Sequence, residues 1–569
     1  MFAFHLKQTA IVTVLLTGFL SRPSLAAGAK ISSDLQSVHP ADSVDVMVEY
    51  AAESNSRPAI DRTGKLRRLG AVSKGYLSSV RSDVVTITGR DVASLADDPD
   101  VVAVRPDRRL RSTSFSGTLD YSWISTGAQA AGVNGGLDGN GVGIAVIDSG
   151  IDEHTDLNSG GKRVKFSSSF LPSEKDGSDA YGHGTHVAGI IAGNGHSSQI
   201  GGGTVQVRGI APGANLVSLR VLDRNGEGTD SAVIRAIEKA IELKSVYNIR
   251  VLNLSIGRPV YESCATDPLC RAVERAWQAG IVVVAAAGND GRDDRFGTKG
   301  YGTITAPGNS PRVITVGAMN TVGTPGRSDD KMATYSSKGP TAVDHVVKPD
   351  LVAPGNGMVS LQSKGSKLSE TYPDNVVPRW MFGNAGNATS GYFQLSGTSM
   401  AAAVVSGAVA LMLQQNPQLT PDLVKYRLMK TAFRDLPAEM ASTDPSTGIT
   451  YRSKSDPFTI GAGYLDITAA LKDSSAPAGS ALSPTALRNA SSGEVSMVYG
   501  SAAMWGTAAM WGTAAMWGTA AMWGTFSPTA TAAMWGTAAM WGTAAMWGTA
   551  ATWGTSNPQP AMVSENGDR

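Results

Sequence analysis

A buried strand that ends in a carboxylate decides the fold, and its sequence is GIAVIDSG at residues 143–150. Its apolar residues are small or branched and uncharged, as in a strand covered on both faces. Comparable apolar runs recur at residues 216–221, 251–254 and 281–285. The segment 229–243 carries apolar side chains at helical spacing. Buried strands that alternate with helices predict an α/β domain over residues 118–475, with a three-layer parallel sheet covered by helices on both faces.

A smaller unit precedes this domain at residues 40–107. Alternating or continuous apolar residues predict its strands at 44–50, 84–88 and 101–104. Helix-compatible stretches lie at residues 65–69 and after Asp91. We therefore expect a small α+β unit. The basic, Ser-rich stretch 108–116 that follows is typical of an exposed linker where proteases can cut.

The N-terminus has the pattern of an export sequence. Lys7 precedes an apolar run at residues 10–20, and small residues follow at 24–27. The run is too short for a transmembrane helix, which needs about 20 apolar residues. A buried core helix is the alternative, but it leaves the small residues unexplained. We predict a signal peptide at residues 1–27 and no later membrane span, hence a secreted protein that could also associate with the cell surface.

The charged residues are almost balanced, since 49 Lys and Arg residues stand against 48 Asp and Glu residues. A chain without strong net charge has no overall attraction to nucleic acid, so no nucleic-acid partner is expected. The two cysteines, Cys264 and Cys270, are close in sequence. In an exported protein we expect a disulfide between them, worth about 2 kcal/mol, with two free thiols as the alternative. No further ligands lie nearby at metal-binding spacing, so no metal site is predicted there.

The C-terminal part is built from a hexad repeat. The sequence AAMWGT recurs through residues 501–555, and the interruption at 526–531 keeps the same phase. In a β-strand an even period places all the indoles on one face, whereas in an α-helix no stripe forms. After a linker at 476–500 we expect either a repeated β unit or a low-complexity stretch that is removed after export. Exposed indoles could bind a polysaccharide or another cell-surface partner.

Three short motifs each lie at the end of a predicted strand or the start of a predicted helix. Asp148 ends the strand VIDSG, His183 opens the segment HGTHVAG, and Ser399 in GTSMA precedes a long apolar helix. Taken singly, Asp148 and Ser399 could be caps and His183 a metal ligand. His183 and His186 are three residues apart, however, and no carboxylate follows at the spacing of a zinc helix. A catalytic base therefore explains His183 better than a metal ligand does.

The three groups together suit nucleophilic catalysis. A serine hydroxyl is a weak nucleophile unless a base takes its proton, and a third group must hold that base in one tautomer. Ser399, His183 and Asp148 supply these groups, in the chain order Asp-His-Ser. An α/β-hydrolase has the order Ser-Asp-His and a GxSxG elbow, which this chain lacks at Ser399. We predict a serine endopeptidase with Ser399 as nucleophile, His183 as base and Asp148 as the orienting group.

These motifs in combination resemble those of the subtilisin-like serine proteases, the subtilases of peptidase family S8, over residues 118–475. The resemblance implies a subtilisin-like fold and an oxyanion-hole role for Asn289, in the segment AAAGN. It also implies two substrate-binding segments, Gly226-Glu227-Gly228 and Ser255-Ile256-Gly257. The first would pair with an extended peptide backbone, which implies protein or peptide substrates and broad sequence tolerance.

The unit at 40–107 resembles the inhibitory propeptide of this family, a small ferredoxin-like fold. Such a segment would assist folding and then hold its C-terminal end in the cleft as an inhibitor of its own enzyme. The resemblance implies a maturation cut between Arg105 and Thr118.

The chain departs from the family pattern after Ser399. Ala403 and Val404 stand where the family usually has Pro-His, so we expect altered helix packing with activity retained. Asp156 resembles a calcium ligand of the family, but the loop after Gly193 lacks a clear acidic set. No cofactor is therefore required, and calcium is left open. The alternative function is a catalytically silent surface-binding protein that uses the protease fold and the Trp-rich tail.

Overall fold

The computed structural model describes most of the chain between residues 30 and 498. The described residues are 30–32, 35, 38, 40–51, 62–107, 109–111, 122–172, 174, 176–199, 206–294, 298–382, 389–444, 449–477, 479–488 and 495–498. The predicted signal peptide at 1–27 and the hexad tail at 501–555 lie outside the described residues.

Residues 40–107, called the N-terminal unit below, form a β-α-β-β-α-β arrangement. Its elements are β1 (Ser43–Tyr50), α1 (Arg62–Arg68), β2 (Val72–Leu77), β3 (Ser82–Thr88), α2 (Val92–Ala96) and β4 (Val101–Pro106). The antiparallel strands have the order β2-β3-β1-β4, which is that of a ferredoxin-like unit. The strand β2 was not predicted, because Ser73, Lys74 and Gly75 interrupt its apolar pattern.

An eight-stranded sheet forms the centre of the main domain, which the structure describes from residue 122 onward. The strands after the N-terminal unit are β5 (Arg109–Arg111), β6 (Gly143–Asp148), β7 (Val164–Ser169), β8 (Asn215–Arg220), β9 (Glu227–Thr229), β10 (Ile249–Leu254), β11 (Val282–Ala286), β12 (Ile314–Asn320), β13 (Lys331–Met332) and β14 (Leu351–Pro354). The sheet order is β13-β12-β11-β10-β6-β8-β7, with β14 also paired to β12. Every pairing is parallel except that of β12 with β13. The predicted mostly parallel sheet is therefore confirmed.

Helices pack on this sheet in two groups, α6 with α12 and α8 with α10. The helices of the main domain are α3 (Ser122–Ser125), α4 (Ala128–Gly135), α5 (Thr155–Asn158), α6 (His183–Ala192), α7 (His196–Gln199), α8 (Asp230–Glu242), α9 (Lys244–Tyr247), α10 (Pro268–Gln278), α11 (Lys367–Thr371), α12 (Thr398–Gln415), α13 (Pro421–Lys430) and α14 (Ile467–Lys472). By length and composition α12 could cross a membrane, but 89% of it is buried inside the protein. It is the central core helix, which packs against β10, β11, β12 and β14.

The remaining strands lie outside the central sheet. They are β15 (Met358–Leu361), β16 (Val376–Pro378), β17 (Thr389–Leu395), β18 (Glu439–Thr443), β19 (Thr450–Lys454), β20 (Thr485–Arg488) and β21 (Val495–Val498). The last pair falls within residues 476–500, which we expected to be a linker. Ala481 and Ala486 are fully buried there, and Ser483 Oγ donates to Asp350 Oδ1 at 2.5 Å. Part of the expected linker is thus packed into the main domain. The sequence did not predict this packing, because the few apolar residues of the segment follow no helical or strand period.

The disulfide expected between Cys264 and Cys270 is not formed, and both residues are buried free thiols. The backbone N–H of Cys264 donates to Asp344 Oδ2 at 2.6 Å, and the Cys270 thiol donates to Asn309 Oδ1 at 3.2 Å. Burial raises the pKa of Cys270 well above its usual value. This disfavours the thiolate that disulfide formation requires.

Candidate active site

Asp148 and His183 meet where the end of β6 faces the start of α6. His183 Nδ1 lies 2.7 Å from Asp148 Oδ1, and both side chains are buried. Gly184 permits this approach, because a Cβ there would lie 2.1 Å from the carbonyl oxygen of Gly150. A carboxylate at Nδ1 holds the proton on that nitrogen and leaves Nε2 as an acceptor. His183 Nε2 is buried and has no hydrogen-bond partner.

A second buried carboxylate, Asp179, holds the backbone segments on either side of the pair by hydrogen bonds. Asp179 Oδ1 accepts from Ser149 Oγ at 2.7 Å and from the Gly182 N–H at 2.6 Å, and Oδ2 accepts from the Thr185 N–H at 2.7 Å. The Ser149 N–H in turn donates to Asp148 Oδ1 at 2.7 Å. Asp179 therefore ties the turn after β6 to the first turn of α6, while burial raises its pKa. Asp179 was not predicted as a site residue; its position four residues before His183 is the one signal in the sequence that could have indicated it.

Ser399 lies in the first turn of α12 and is buried. Its Oγ donates to the carbonyl oxygen of Ser255 at 3.0 Å, not to His183. Ser255 Oγ donates back to the carbonyl oxygen of Ser399 at 2.8 Å. A hydroxyl has one proton, so the hydroxyl of Ser399 must turn away from Ser255 before it can donate to His183. Catalytic hydrogen bonds often align only in the complex with substrate.

Asn289 is held beside Ser399 by the residue that precedes the serine. Asn289 Oδ1 accepts from the backbone N–H of Thr398 at 2.9 Å and from its hydroxyl at 3.0 Å. Because both donors hold the oxygen end of the amide, Nδ2 is the end that can donate to a bound oxyanion. Thr398, which sequence reasoning did not single out, thus positions the predicted oxyanion donor.

Buried hydrogen bonds anchor the helix that carries Ser399 to the end of β10. Ser406 Oγ donates to Asn253 Oδ1 at 2.9 Å, and Asn253 Nδ2 donates to Ser255 Oγ at 2.9 Å. Ala403 and Val404 are fully buried, and α12 continues unbroken through them. The departure from Pro-His at these positions is therefore accommodated within a regular core helix.

The predicted substrate-binding segment Gly226-Glu227-Gly228 lies at an edge that pairs with an extended backbone. Its last two residues open β9, which pairs antiparallel with β5 of the same chain. Gly226 has a φ of 74°, and a Cβ there would lie 2.6 Å from the ring of Tyr181. A side chain at Gly226 would therefore collide with its neighbours, so this edge requires glycine there.

The other predicted segment, Ser255-Ile256-Gly257, follows β10 directly. Ser255 contacts Ser399 as described above, and Ile256 is buried. A Cβ at Gly257 would lie 2.5 Å from Thr305 Oγ1. The structure therefore brings this segment next to Ser399.

His186, the second histidine of the motif, is a core residue. Its Nε2 lies 3.1 Å from the carbonyl oxygens of Met358 and Phe393. Burial lowers its pKa to about 3, and nearby His183 acts in the same direction. A neutral imidazole that donates to two carbonyl oxygens is not arranged as a metal ligand.

Asp156 does not fit the calcium site that the resemblance left open. Its Oδ1 accepts from the Ser197 N–H at 2.8 Å, and Oδ2 accepts from the Tyr392 hydroxyl at 2.5 Å. Calcium takes six to eight oxygen ligands, and no cluster of three acidic, His or Cys side chains occurs among the residues that the structure describes. Both oxygens of Asp156 already accept hydrogen bonds from other groups of the protein.

A carboxylate-held imidazole, a serine at a helix start and a fixed amide donor are the groups of a serine hydrolase with the chain order Asp-His-Ser. The Subtilase family profile (Peptidase S8) matches residues 139–463. This match covers more than half of the chain, and the chain belongs to the subtilase family.

Named relatives and a solved structure agree with this family. Serine protease AprX of Bacillus subtilis (strain 168) is 41% identical over 301 residues, which are 51% of this chain and 61% of AprX. Subtilisin E of the same organism is 35% identical over 365 residues, which are 64% of this chain and 78% of subtilisin E. The chain thus spans about three fifths of the length of AprX.

A crystal structure of fervidolysin from Fervidobacterium pennivorans, described as a keratinolytic enzyme related to subtilisin, matches with a TM-score of 0.56. The match covers 80% of this chain and 65% of fervidolysin at 22% identity. At that identity the likeness shows the fold alone, which is subtilisin-like.

Proposed function

We propose that the chain is the precursor of a secreted serine endopeptidase. The buried pair of Asp148 and His183, with Nε2 of the histidine left without a partner, is the observation that carries this proposal. A buried polar atom without a hydrogen bond costs roughly 1–3 kcal/mol. A base that waits for the proton of Ser399 accounts for that cost.

The proposed reaction begins when Ser399 Oγ turns from Ser255 to His183. Oγ attacks the carbonyl carbon of the scissile peptide bond while His183 Nε2 takes its proton, and Asp148 stabilises the imidazolium. The backbone N–H of Ser399 and Nδ2 of Asn289 donate to the oxyanion that forms. One such donor is worth about 2.7–4 kcal/mol in the transition state.

The tetrahedral intermediate then collapses to an acyl-enzyme. His183 gives its proton to the leaving amine as the C–N bond breaks, and the new ester joins the substrate acyl group to Ser399. Water, activated by the same imidazole, hydrolyses the ester and restores the hydroxyl. No cofactor enters these steps.

The contacts of the N-terminal unit support an inhibitory role. The Asp107 carboxylate accepts from the Ser231 N–H at 2.6 Å at the start of α8, and the Ser79 N–H donates to Glu238 Oε1 at 2.6 Å. Apolar residues of the unit are buried in the core of the main domain: Met47, Leu77, Val80 and Val84. β5 follows this unit directly and pairs with the edge of β9. A substrate peptide would therefore be excluded from that edge until the chain is cut between Arg105 and Thr118.

Export and surface attachment complete the proposal. The apolar segment within residues 1–27 supports secretion, and the hexads at 501–555 support binding to a cell-surface or polysaccharide partner through their indoles. Binding to cell-wall polysaccharide with and without residues 501–555 would test the second part.

Ser399→Ala tests the activity. We expect kcat on casein to fall by about 10⁶-fold, the size known for the nucleophile of subtilisin itself, and the precursor to accumulate uncut. The unsubstituted protein should be labelled by a serine-directed phosphonate. Ser496→Ala, an exposed serine on β21, is the matched control and should mature normally.

Normal maturation of Ser399→Ala would contradict self-processing. An unsubstituted protein that neither cleaves casein nor becomes labelled would instead support the catalytically silent alternative.

A further inference from the structure

The edge that carries β9 is acidic. Residues 223–230, DRNGEGTD, contain three acidic residues and one basic residue. The basic residue, Arg224, pairs with Glu370 at 2.5 Å. The Glu227 N–H donates to Asp223 Oδ1 at 3.0 Å, and the Asp223 N–H donates to the Glu227 carbonyl oxygen at 2.8 Å. These bonds fix the backbone of Glu227 at the start of β9.

Negative charge also lies buried beyond the other end of β9. Asp230 accepts from Arg258 Nε at 2.9 and 3.0 Å, and Arg258 Nη2 donates to both oxygens of Asp267 at 2.9 and 2.7 Å. All three side chains are buried. One guanidinium is thus shared by two carboxylates next to the end of the strand.

The pairing of β5 with β9 fixes how a peptide meets this edge. Residues 111, 110 and 109 lie opposite Glu227, Gly228 and Thr229. Directly opposite residues of an antiparallel pair share a face, with Cβ atoms about 4.5–5.5 Å apart, and successive residues alternate faces. A peptide in this register presents one residue to Glu227 and the next to Gly228, beside Leu222. The chain itself has Arg-Leu-Arg at these positions.

We propose that Glu227 selects a basic residue at the peptide position that pairs with it. The preferred substrates are then peptides that carry Arg or Lys opposite Glu227 and a neighbouring apolar residue opposite Gly228. This inference rests on the proposed function, because it requires β9 to bind substrate after the N-terminal unit has left. Selection by Glu227 would narrow the broad range of substrate sequences that backbone pairing alone implies. The preference is electrostatic and therefore weakens as salt screens the charges.

Quenched fluorescent peptides with the sequence of residues 105–118 test the proposal, with Arg, Lys, Ala or Glu at position 111. The probe for each is kcat/KM with the processed enzyme obtained from the full chain. We expect Arg and Lys to exceed Ala by about two- to fivefold, and Glu to fall below Ala. In Glu227→Gln the ratio of Arg to Ala should approach one, and in Glu227→Lys the Glu peptide should overtake the Arg peptide. Glu242→Gln changes an exposed carboxylate on α8 that pairs with Lys239, and it should keep the ratio of Arg to Ala seen with the unsubstituted enzyme.

Equal kcat/KM for all four peptides, or a ratio that Glu227→Gln leaves unchanged, would overturn the selection by Glu227. If neither the peptides nor casein were cleaved, the proposed function itself would fail. The two failures are therefore distinguishable.

Discussion

The cluster around Asp350 and the pair of Asp148 and His183 are both charged groups shielded from water, but their polar atoms are satisfied to different extents. Asp350 Oδ2 accepts from Lys348 Nζ at 2.6 Å and from the Thr315 N–H at 2.8 Å. Asp350 Oδ1 lies 3.1 Å from Lys425 Nζ and accepts from Ser483. Each oxygen of this carboxylate thus has two partners.

The pair of Asp148 and His183, in contrast, has unsatisfied polar atoms. Asp148 Oδ2 and His183 Nε2 are buried without a hydrogen-bond partner. Because an unsatisfied buried polar atom is costly, the pair of Asp148 and His183 carries a cost that the carboxylate of the Asp350 cluster avoids. The difference teaches that a charged cluster whose polar atoms all have partners can hold distant segments together. A pair whose polar atoms lack partners is instead available for chemistry.

Asp148→Asn should produce the largest effect on the unsaturated side. The amide cannot stabilise the imidazolium and favours the wrong tautomer of His183, so we expect kcat on casein to fall by about 10⁴-fold. Thermal unfolding should change far less than activity. Glu153→Gln, which changes an exposed carboxylate, is the control and should keep its kcat. If the kcat of Asp148→Asn stayed within tenfold of that of the unsubstituted enzyme, the role of Asp148 would be refuted.

Asp350→Ala should reverse this pattern on the saturated side. The change leaves two buried ammonium groups without their carboxylate, which we expect to cost about 3–5 kcal/mol of unfolding free energy. Denaturant unfolding in the Ser399→Ala background, where self-digestion is absent, measures this cost. The folded fraction of Asp350→Ala with Ser399 intact should keep its kcat. A loss below about 1 kcal/mol would show that the cluster does not hold the fold together.

The pH dependence of stability should give the smallest effect when it is measured over a single pH unit. Burial lowers the pKa of Lys425 from 10.5 to about 7, although Asp350 opposes the shift. Between these values the unfolded chain holds a proton that the folded chain has lost, so stability rises with pH across this window. The contribution is lost as the pH falls through about 7. Its slope is at most about 1.4 kcal/mol per pH unit.

Unfolding of Lys425→Met provides the comparison for this window. The difference in unfolding free energy between the unsubstituted chain and the variant should change between pH 7 and pH 10, because only the former carries the titrating ammonium. Parallel stability profiles across that range would mean that Lys425 keeps its usual pKa when folded.

The sequence predicted those parts of the fold that depend on local patterns. The run at 143–147 is the body of β6, and the helical spacing at 229–243 is α8, Asp230–Glu242. It also predicted which residues would converge, since the structure brings His183 to Asp148 and holds Asn289 beside Ser399. These predictions succeed because strand and helix periods, and the ends of strands and helices, are written in neighbouring residues.

The sequence did not predict the contacts that join distant segments. Asp179, Thr398 and the packing of Ser483 against Asp350 were all missed, as were the free thiols of Cys264 and Cys270. None of these residues lies in a periodic pattern that shows whether its side chain will be buried or what it will bond. The hydrogen bond of the Ser399 hydroxyl, which goes to Ser255 and not to His183, likewise depends on the packed site.

By itself, then, the sequence determined the α/β layering and the chain order of Asp148, His183 and Ser399, the proposed reacting groups, because each is a local property of a strand end or a helix start. Only the tertiary structure decided which buried polar atoms are satisfied and which are left for chemistry. It also decided that β5 pairs with β9, which places residue 111 opposite Glu227. The physical reason is that hydrogen-bond partners and desolvation depend on residues tens to hundreds of positions away, and these are set only when the sheet and its helices pack.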